Sequence, residues 1–445
     1  MSTPTSAPTA PALPAELPIV PLQRPIDFDI AVPGSKSITN RYLVMSALAD
    51  GKVTLGSVLR SDDTYFMTEA LKKLGFRVEP DWNAKTCQIW GGGGRIPAAG
   101  GEIFVGAAGT VMRFLSAFVA LGNGRFRLDG TARMRERPIE DLLQGLRLMG
   151  VKAQSEFNNG CPPVIVDASG LPGGKTAIDG SRSSQYISGM LLVAPYAKQM
   201  MTVEVTGTFV SRPFVELTLK AMSDFGVLTA TEGERIYRPT FGARYRAGAY
   251  DVEGDATAAS YFLAAAAILG GRCCVTNVSA DSAQGDAYFA DVLGRMGCIV
   301  RKGFLAGNRG IEVSRDPRTP LKAIDADLND MPDVVLTLAV VCLFADGPSS
   351  INNVGNLRIK ETDRLKALAT ELRRMGAEIE EGEDYLDIKP GPHRDAKIET
   401  YDDHRMAMAM SLVGLGRPGI VIKDPACVSK TYPNYFQDLE RLRGI

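Results

Sequence analysis

LKKLGFRVEP, residues 71–80, reads as the end of a helix, a glycine and the start of an alternating strand. Glycine just past a helix can adopt the left-handed conformation that ends it, and the chain then leaves in an extended direction. The same reading recurs in LRLMGVKAQS (146–155), MSDFGVLTAT (222–231), LGRMGCIVRK (293–302) and LRRMGAEIEE (372–381). The glycines are Gly75, Gly150, Gly226, Gly297 and Gly376, spaced 75, 76, 71 and 79 apart. A truncated sixth copy, LERLRGI, carries Gly444, 68 residues further on. An internal period of this kind is the strongest fold signal a single sequence offers.

A second series runs in phase with the first. Six apolar, small-residue stretches begin near Ser37, Thr110, Ser184, Thr257, Pro332 and His404, at spacings of 73, 74, 73, 75 and 72. TVMRFLSAFVAL, ATAASYFLAAAAIL and HRMAMAMSLVGL are apolar nearly all round, which predicts buried helices, whereas the glycine-terminated helices carry charged faces. One α/β unit of about 75 residues is thus repeated six times. The units group as two sets of three. An N-terminal lobe is expected over 35–254 and a C-terminal lobe over 255–445, flanked by Gly34 and Gly254. The short strand before Gly34 fits either half and is assigned, as 19–34, to the second. Two lobes joined by two crossings suggest a hinge.

Residues 1–18 (MSTPTSAPTAPALPAELP) hold five prolines and neither a basic start nor a continuous apolar core. They are expected to be a disordered tail rather than a signal peptide. The 445 residues carry 50 basic and 51 acidic side chains, a net charge of −1, with 45% hydrophobic and 23% charged. That excludes a disordered, collagen-like or coiled-coil chain and gives no overall field for nucleic acid or a membrane. Any anion site must be local. Seven cysteines (87, 161, 273, 274, 298, 342 and 427) form no C-x-x-C pair, so reduced thiols in the cytoplasm are expected. Two histidines, His393 and His404, exclude a multi-histidine metal site. The longest apolar run, 334–345, is too short to span a bilayer.

The chemistry collects where the buried helices start. A helix N-terminus offers free N–H groups and the positive end of a dipole. Here the starts read Pro33-Gly34-Ser35-Lys36-Ser37-Ile38-Thr39-Asn40-Arg41, Gly106-Ala107-Ala108-Gly109-Thr110-Val111-Met112-Arg113, Ser183-Ser184-Gln185, Asp330-Met331-Pro332-Asp333 and Asp402-Asp403-His404-Arg405. Two basic loops, Arg133 to Arg137 and Lys360 to Arg364, add to them. P-G-S-K-S lacks the Walker A spacing. Thr110, Ser183, Ser184, Asp402 and Asp403 also suit helix caps. Arginine in a first turn opposes the dipole, which favours a ligand anion at Arg113. If the units are equivalent, these starts converge on one cleft holding several cations with Asp333, Glu361 and His404. That describes a site for a multiply anionic substrate and acid–base chemistry.

PGSKSITNR, GAAGTVMRF, RMRERP, SSQY, PDVV, NLRIKETDRL, DDHRMAM and SKTYPNYF, in this order between Ile30 and Phe436, resemble the motifs of the 5-enolpyruvylshikimate-3-phosphate synthase family. The resemblance implies an α/β fold of two similar lobes, each of three βαβαββ units, with buried parallel helices whose N-termini face the interdomain cleft. It implies transfer of the enolpyruvyl group of phosphoenolpyruvate to the 5-hydroxyl of shikimate 3-phosphate, with release of phosphate. The expected chain is a cytoplasmic monomer that closes its lobes on substrate. No metal, cofactor, nucleic acid or membrane is implied.

Carried over by motif, shikimate 3-phosphate contacts Lys36, Ser37, Arg41, Ser183, Ser184, Gln185, Ser211, Asp333, Asn356 and Lys360. Phosphoenolpyruvate contacts Lys36, Gly109, Arg113, Arg133, Gln185, Arg364, Arg405 and Lys430. Asp333 and Glu361 are the implied proton carriers, assisted by Lys36, and His404 orients Glu361 or the leaving group. Three positions depart from many members: Ala107 for Asn, Phe114 for Pro and Phe214 for Tyr. They bear on substrate affinity and on glyphosate, the family's inhibitor, for which Gly109 leaves room. UDP-N-acetylglucosamine enolpyruvyltransferase is the alternative, but no cysteine lies between Thr131 and Pro138, where that enzyme carries a reactive one. A catalytically silent anion-binding relative is disfavoured by Lys36, Asp333, Glu361 and Arg405. An RNA-processing enzyme is disfavoured by the neutral composition.

Overall fold

The computed structural model describes residues 12–305 and 308–444. The described residues divide into two compact units, one over Gly34–Val252 and one combining 12–33 with 253–444. The strand before Gly34 therefore belongs with the C-terminal unit. The first unit runs over Gly34–Val252, against the 35–254 expected.

Each unit contains three small sheets and three buried helices. The sheet of Gly100–Phe104, Asn123–Asp129, Val164–Ser169 and Lys152–Ser155 shows the rule. Its first two strands in sequence are parallel, because a helix crosses between them, and the remaining pairings are antiparallel. With helices Gly109–Phe118 and Glu140–Leu148 this makes one βαβαββ unit. Four-stranded sheets of the same order recur through the chain. Three repeats complete their sheets with distant chain. Ile26–Ile30 runs parallel to Gly271–Val275 in the fourth repeat. Gly248–Asp251 runs parallel to Asp50–Gly56 in the first unit. Glu16–Pro18 lies antiparallel to Ile420–Lys423 in the second, Leu17 opposite Ile422.

That last pairing corrects the expected tail. The sixth repeat ends without its own final strand pair, and a segment near the N-terminus fills the antiparallel place. Ile19 N–H donates to the Ile420 carbonyl, and Asp424 N–H donates to that of Ala15. Residues 1–11 of the expected tail lie outside the described residues.

The buried helices are Lys36–Leu48, Gly109–Phe118, Ser184–Val193, Ala256–Leu269, Val335–Cys342 and His404–Gly416, the fifth preceded by the 3-10 turn Pro332–Val334. Within each unit the three contact one another. Small residues permit this approach: a Cβ on Gly189 would sit 3.2 Å from the Arg113 carbonyl oxygen on the neighbouring helix. The surface helices end as their sequences predict. All six repeat glycines have positive φ, from 70° at Gly444 to 99° at Gly297 and Gly376. After the second surface helix, Val151 N–H donates to the Leu146 carbonyl and Gly150 N–H to that of Arg147, the paired bonds of a Schellman stop.

Candidate active site

In the N-terminal unit, the start of Gly109–Phe118 is the centre of a cationic cradle. Its N-cap position is Ala108, which offers no side-chain cap. Thr110, a candidate cap on sequence, sits inside the first turn and accepts a 3.3 Å bond from Gln185 Nε2. The first amides of this helix are therefore open to a ligand anion. Two buried guanidinium groups surround Gly109. A Cβ there would lie 2.3 Å from a terminal nitrogen of Arg113 and 2.9 Å from both terminal nitrogens of Arg137. Arg113 donates to the Pro138 carbonyl and Arg137 to that of Ala107, each at 3.3 Å.

Arg137, not Arg133, is the arginine of its loop that turns inward. Arg133 is partly exposed and pairs with Glu136 at 2.8 Å, and Arg135 is bound to Asp129. The physical reason lies in the next residue. Pro138 disfavours a helical conformation before it, and Arg137 is extended (φ −85°, ψ 128°) after the 3-10 turn Met134–Glu136. Position before a proline was the available sequence signal.

The other residues of this unit surround the neighbouring helix starts. Ser35 caps Lys36–Leu48, and Lys36 on its first turn lies 3.9 Å from the buried Asp63, which sequence reading missed. Asp63 lies in the first turn of the helix Asp62–Lys73. Arg41 is buried and spends four N–H bonds on the protein: to Thr218 Oγ1 and the Ser37 and Phe214 carbonyls at 2.8 Å, and to Ser188 Oγ at 3.3 Å. Burial lowers its pKa to about 9, so it remains cationic at neutral pH. The Phe114 ring packs 5.3 Å from this guanidinium, a cation–π contact that a proline at this position would remove. Ser183 caps Ser184–Val193 by accepting from Gln185 N–H. Ser211 is buried in the left-handed region (φ 56°), a conformation usually retained where the surroundings impose it.

The C-terminal unit is organised differently, as a lattice of alternating acids and cations. Arg364, at the start of helix Arg364–Arg374, is almost completely buried and meets three carboxylates. Its Nε donates to Asp403 at 2.7 Å, one terminal nitrogen to Glu361 at 2.9 Å and the other to Asp333 at 3.3 Å. Arg405 donates to the second oxygen of Asp333 at 2.7 Å, and Lys430 lies 2.9 Å from the second oxygen of Glu361. Burial pulls the Arg364 guanidinium down, but Asp403 and Glu361 more than offset it and hold the group above its ordinary value. Asp403, rather than Asp402, caps helix His404–Gly416 by accepting from Arg405 N–H at 2.9 Å.

His404 is fully buried, with Nδ1 3.6 Å from Asp403. Arg364 and Lys430 both support Glu361. Asn356, on the 3-10 turn Gly355–Ile359, and Lys360, just after it, stand on the loop leading to Glu361. The lattice therefore brings together Asp333, Glu361, Arg364, Arg405 and Lys430, five of the residues expected from sequence. Two carboxylates are each held between fixed cations that an incoming anion would share. Such an arrangement binds negative charge and exchanges protons beside it.

Fold and site define a six-repeat α/β enzyme with an anion cradle and an acid–cation lattice. A family model described as EPSP synthase (3-phosphoshikimate 1-carboxyvinyltransferase) matches residues 22–439, and the chain belongs to that family of shikimate-pathway transferases. A 3-phosphoshikimate 1-carboxyvinyltransferase of Nostoc punctiforme is 46% identical over 415 residues, covering 93% of this chain and 96% of the relative. A chloroplastic one of Arabidopsis thaliana is 46% identical over 430 residues, covering 93% and 82%. The solved EPSP synthase of Acinetobacter baumannii superposes with a TM-score of 0.79 at 26% identity, over 96% of this chain and 98% of that one.

Proposed function

We propose that the chain transfers the enolpyruvyl group of phosphoenolpyruvate to the 5-hydroxyl of shikimate 3-phosphate, as a monomer in the cytoplasm. The observation that carries this reading is the pair of carboxylates, Asp333 and Glu361, each shared between two cations. The substrates bring phosphate and carboxylate groups, and Arg113, Arg137, Arg364, Arg405 and Lys430 are fixed donors for them. Lys36, Ser37, Ser183, Ser184, Gln185, Ser211, Asn356 and Lys360 complete the binding set, and Arg41 has one N–H left beyond its four protein bonds. The seven free cysteines suit a reducing compartment.

The chemistry is addition followed by elimination. The acceptor hydroxyl oxygen bonds to C2 of phosphoenolpyruvate, its proton goes to a carboxylate, and C3 gains a proton. The tetrahedral ketal phosphate then loses phosphate from C2 and a proton from C3, which restores the double bond. Asp333 and Glu361 carry these protons, Lys36 assists, and neighbouring guanidinium groups balance the charge. Glyphosate takes the phosphoenolpyruvate place against Gly109, with an affinity altered by Ala107 and Phe114.

Phosphate release from both substrates together, with single-substrate controls and UDP-N-acetylglucosamine as the other acceptor, tests the reaction. Release that needs shikimate 3-phosphate is expected. Release with the nucleotide sugar alone as acceptor would contradict the assignment. D333N and E361Q should each lower kcat by about 10²–10⁴-fold. Parental rates in both would remove the two carboxylates from the mechanism.

A further inference from the structure

Behind the lattice lies a carboxyl group that none of the steps above uses. Asp286 sits on the 3-10 turn Gly285–Tyr288 and is buried, 4% exposed. One oxygen accepts from the Thr257 hydroxyl, on the first turn of helix Ala256–Leu269. Its other oxygen, Oδ1, is buried and has no hydrogen-bond partner. The acids of the lattice are differently placed: Asp333, Glu361 and Asp403 each meet a cation directly. Asp286 has a neutral donor only, yet it interacts electrostatically with Asp333, Arg405 and Asp255. On Arg405, Nε is also buried without a hydrogen-bond partner.

We propose that Asp286 is a positioning residue for the proposed reaction: kept neutral, it leaves Arg405 to Asp333 and to the substrate anion, and once ionised it competes for Arg405 and loosens that anion. The inference rests on the reading of the site given above. A buried carboxylate with one neutral bond and one bare oxygen pays most of its desolvation cost uncompensated, so protonation is the cheaper state. Asp333 adds a like charge nearby. Burial first, then Asp333, raises the Asp286 carboxyl to about 7, against the lowering effects of the Thr257 bond and Arg405. The groups facing it are Asp255 and Thr257 from helix Ala256–Leu269, Asp333 from the turn Pro332–Val334, and Arg405 from helix His404–Gly416. In the following helix, Phe289–Arg295, Asp291 is bound to Lys302.

Ionisation of Asp286 then weakens anion binding as pH rises through about 7. Steady-state phosphate release, followed from about pH 6 to about pH 9 in the parent, D286N and T257V, reads this. The parent's KM for phosphoenolpyruvate should climb about tenfold on the alkaline side, and in D286N it should stay level within about twofold, with kcat moved less than KM. T257V removes the hydrogen bond that favours the ionised form, so its alkaline rise should shift to higher pH, a check that stands if D286N does not fold. Profiles of both variants that superpose on the parent's would overturn the proposal. Infrared difference titration supplies a readout independent of turnover. A protonated-carboxyl band at neutral pH that D286N removes supports the proposal even if the parent turns over neither substrate, which would instead sink the assigned reaction. An active parent whose band D286N leaves intact would sink the role of Asp286 alone.

Discussion

The cradle around Gly109 and the lattice around Arg364 both present buried arginines, but they solve opposite problems. In the cradle, Arg113 and Arg137 donate to backbone carbonyls, and the helix start they surround lacks a side-chain cap. Backbone carbonyls help to hold the positive charge in place. In the lattice, Arg364 alone meets Asp333, Glu361 and Asp403, and the charge is largely balanced within the protein. The difference separates two duties. Cations held by neutral groups are suited to binding an anion. Cations interleaved with carboxylates are suited to moving protons beside one, because each arriving charge alters the support of an acid.

The comparison has consequences of graded size. Arg364→Ala would leave Asp403 and Glu361 short of a buried partner and should destabilise the protein by about 3–5 kcal/mol. Equilibrium unfolding measures this, and a loss near zero would mean that the lattice is not a buried charge network. R137A removes a buried cation from the cradle, so the KM for phosphoenolpyruvate should rise about 10–100-fold. R133A is the contrast on the same loop. Exposed pairs such as Arg133 with Glu136 contribute about 0–1 kcal/mol, and KM should move by less than about twofold. Equal effects from R133A and R137A would erase the distinction between the loop's surface and its inward face.

Stability should also separate the two regions by pH. Asp286 is raised on folding, so the folded chain holds its proton above the unfolded value of about 3.9. Its contribution is fully present below that value and declines as pH rises through about 7. D286N should remove this decline from the parent's unfolding free energy between about pH 4 and about pH 7. Parallel curves for the two proteins would show that the carboxyl has the same pKa in the folded and unfolded chain.

Much of this was legible in the sequence because it is local. Gly75 and Gly150 stop helices through backbone geometry, and residues around them form the stop. The six buried helix starts fall within three residues of their expected positions because apolar patterning and first-turn polarity coincide there. Family motifs led to Asp333, Glu361, Arg364, Arg405 and Lys430, which the fold gathers from four separate segments of chain.

What escaped was non-local or degenerate. Glu16–Pro18 is proline-flanked and short, and only its place beside Ile420–Lys423 makes it a strand. Three arginines in RMRERP offered the same charge, and the choice between them depended on the backbone imposed by Pro138. Asp63 and Asp286 lie in none of the motifs, and burial beside Lys36 and near Asp333 gives them their character. His404 has its acid neighbour in the preceding residue, a partner too close in sequence to stand out.

The division of duties is tested most directly by steady-state kinetics of R137A and E361Q, measured side by side with both substrates. The account predicts that R137A chiefly raises the KM for phosphoenolpyruvate and that E361Q chiefly lowers kcat. The reverse pattern, with R137A failing in kcat and E361Q only in KM, would contradict it.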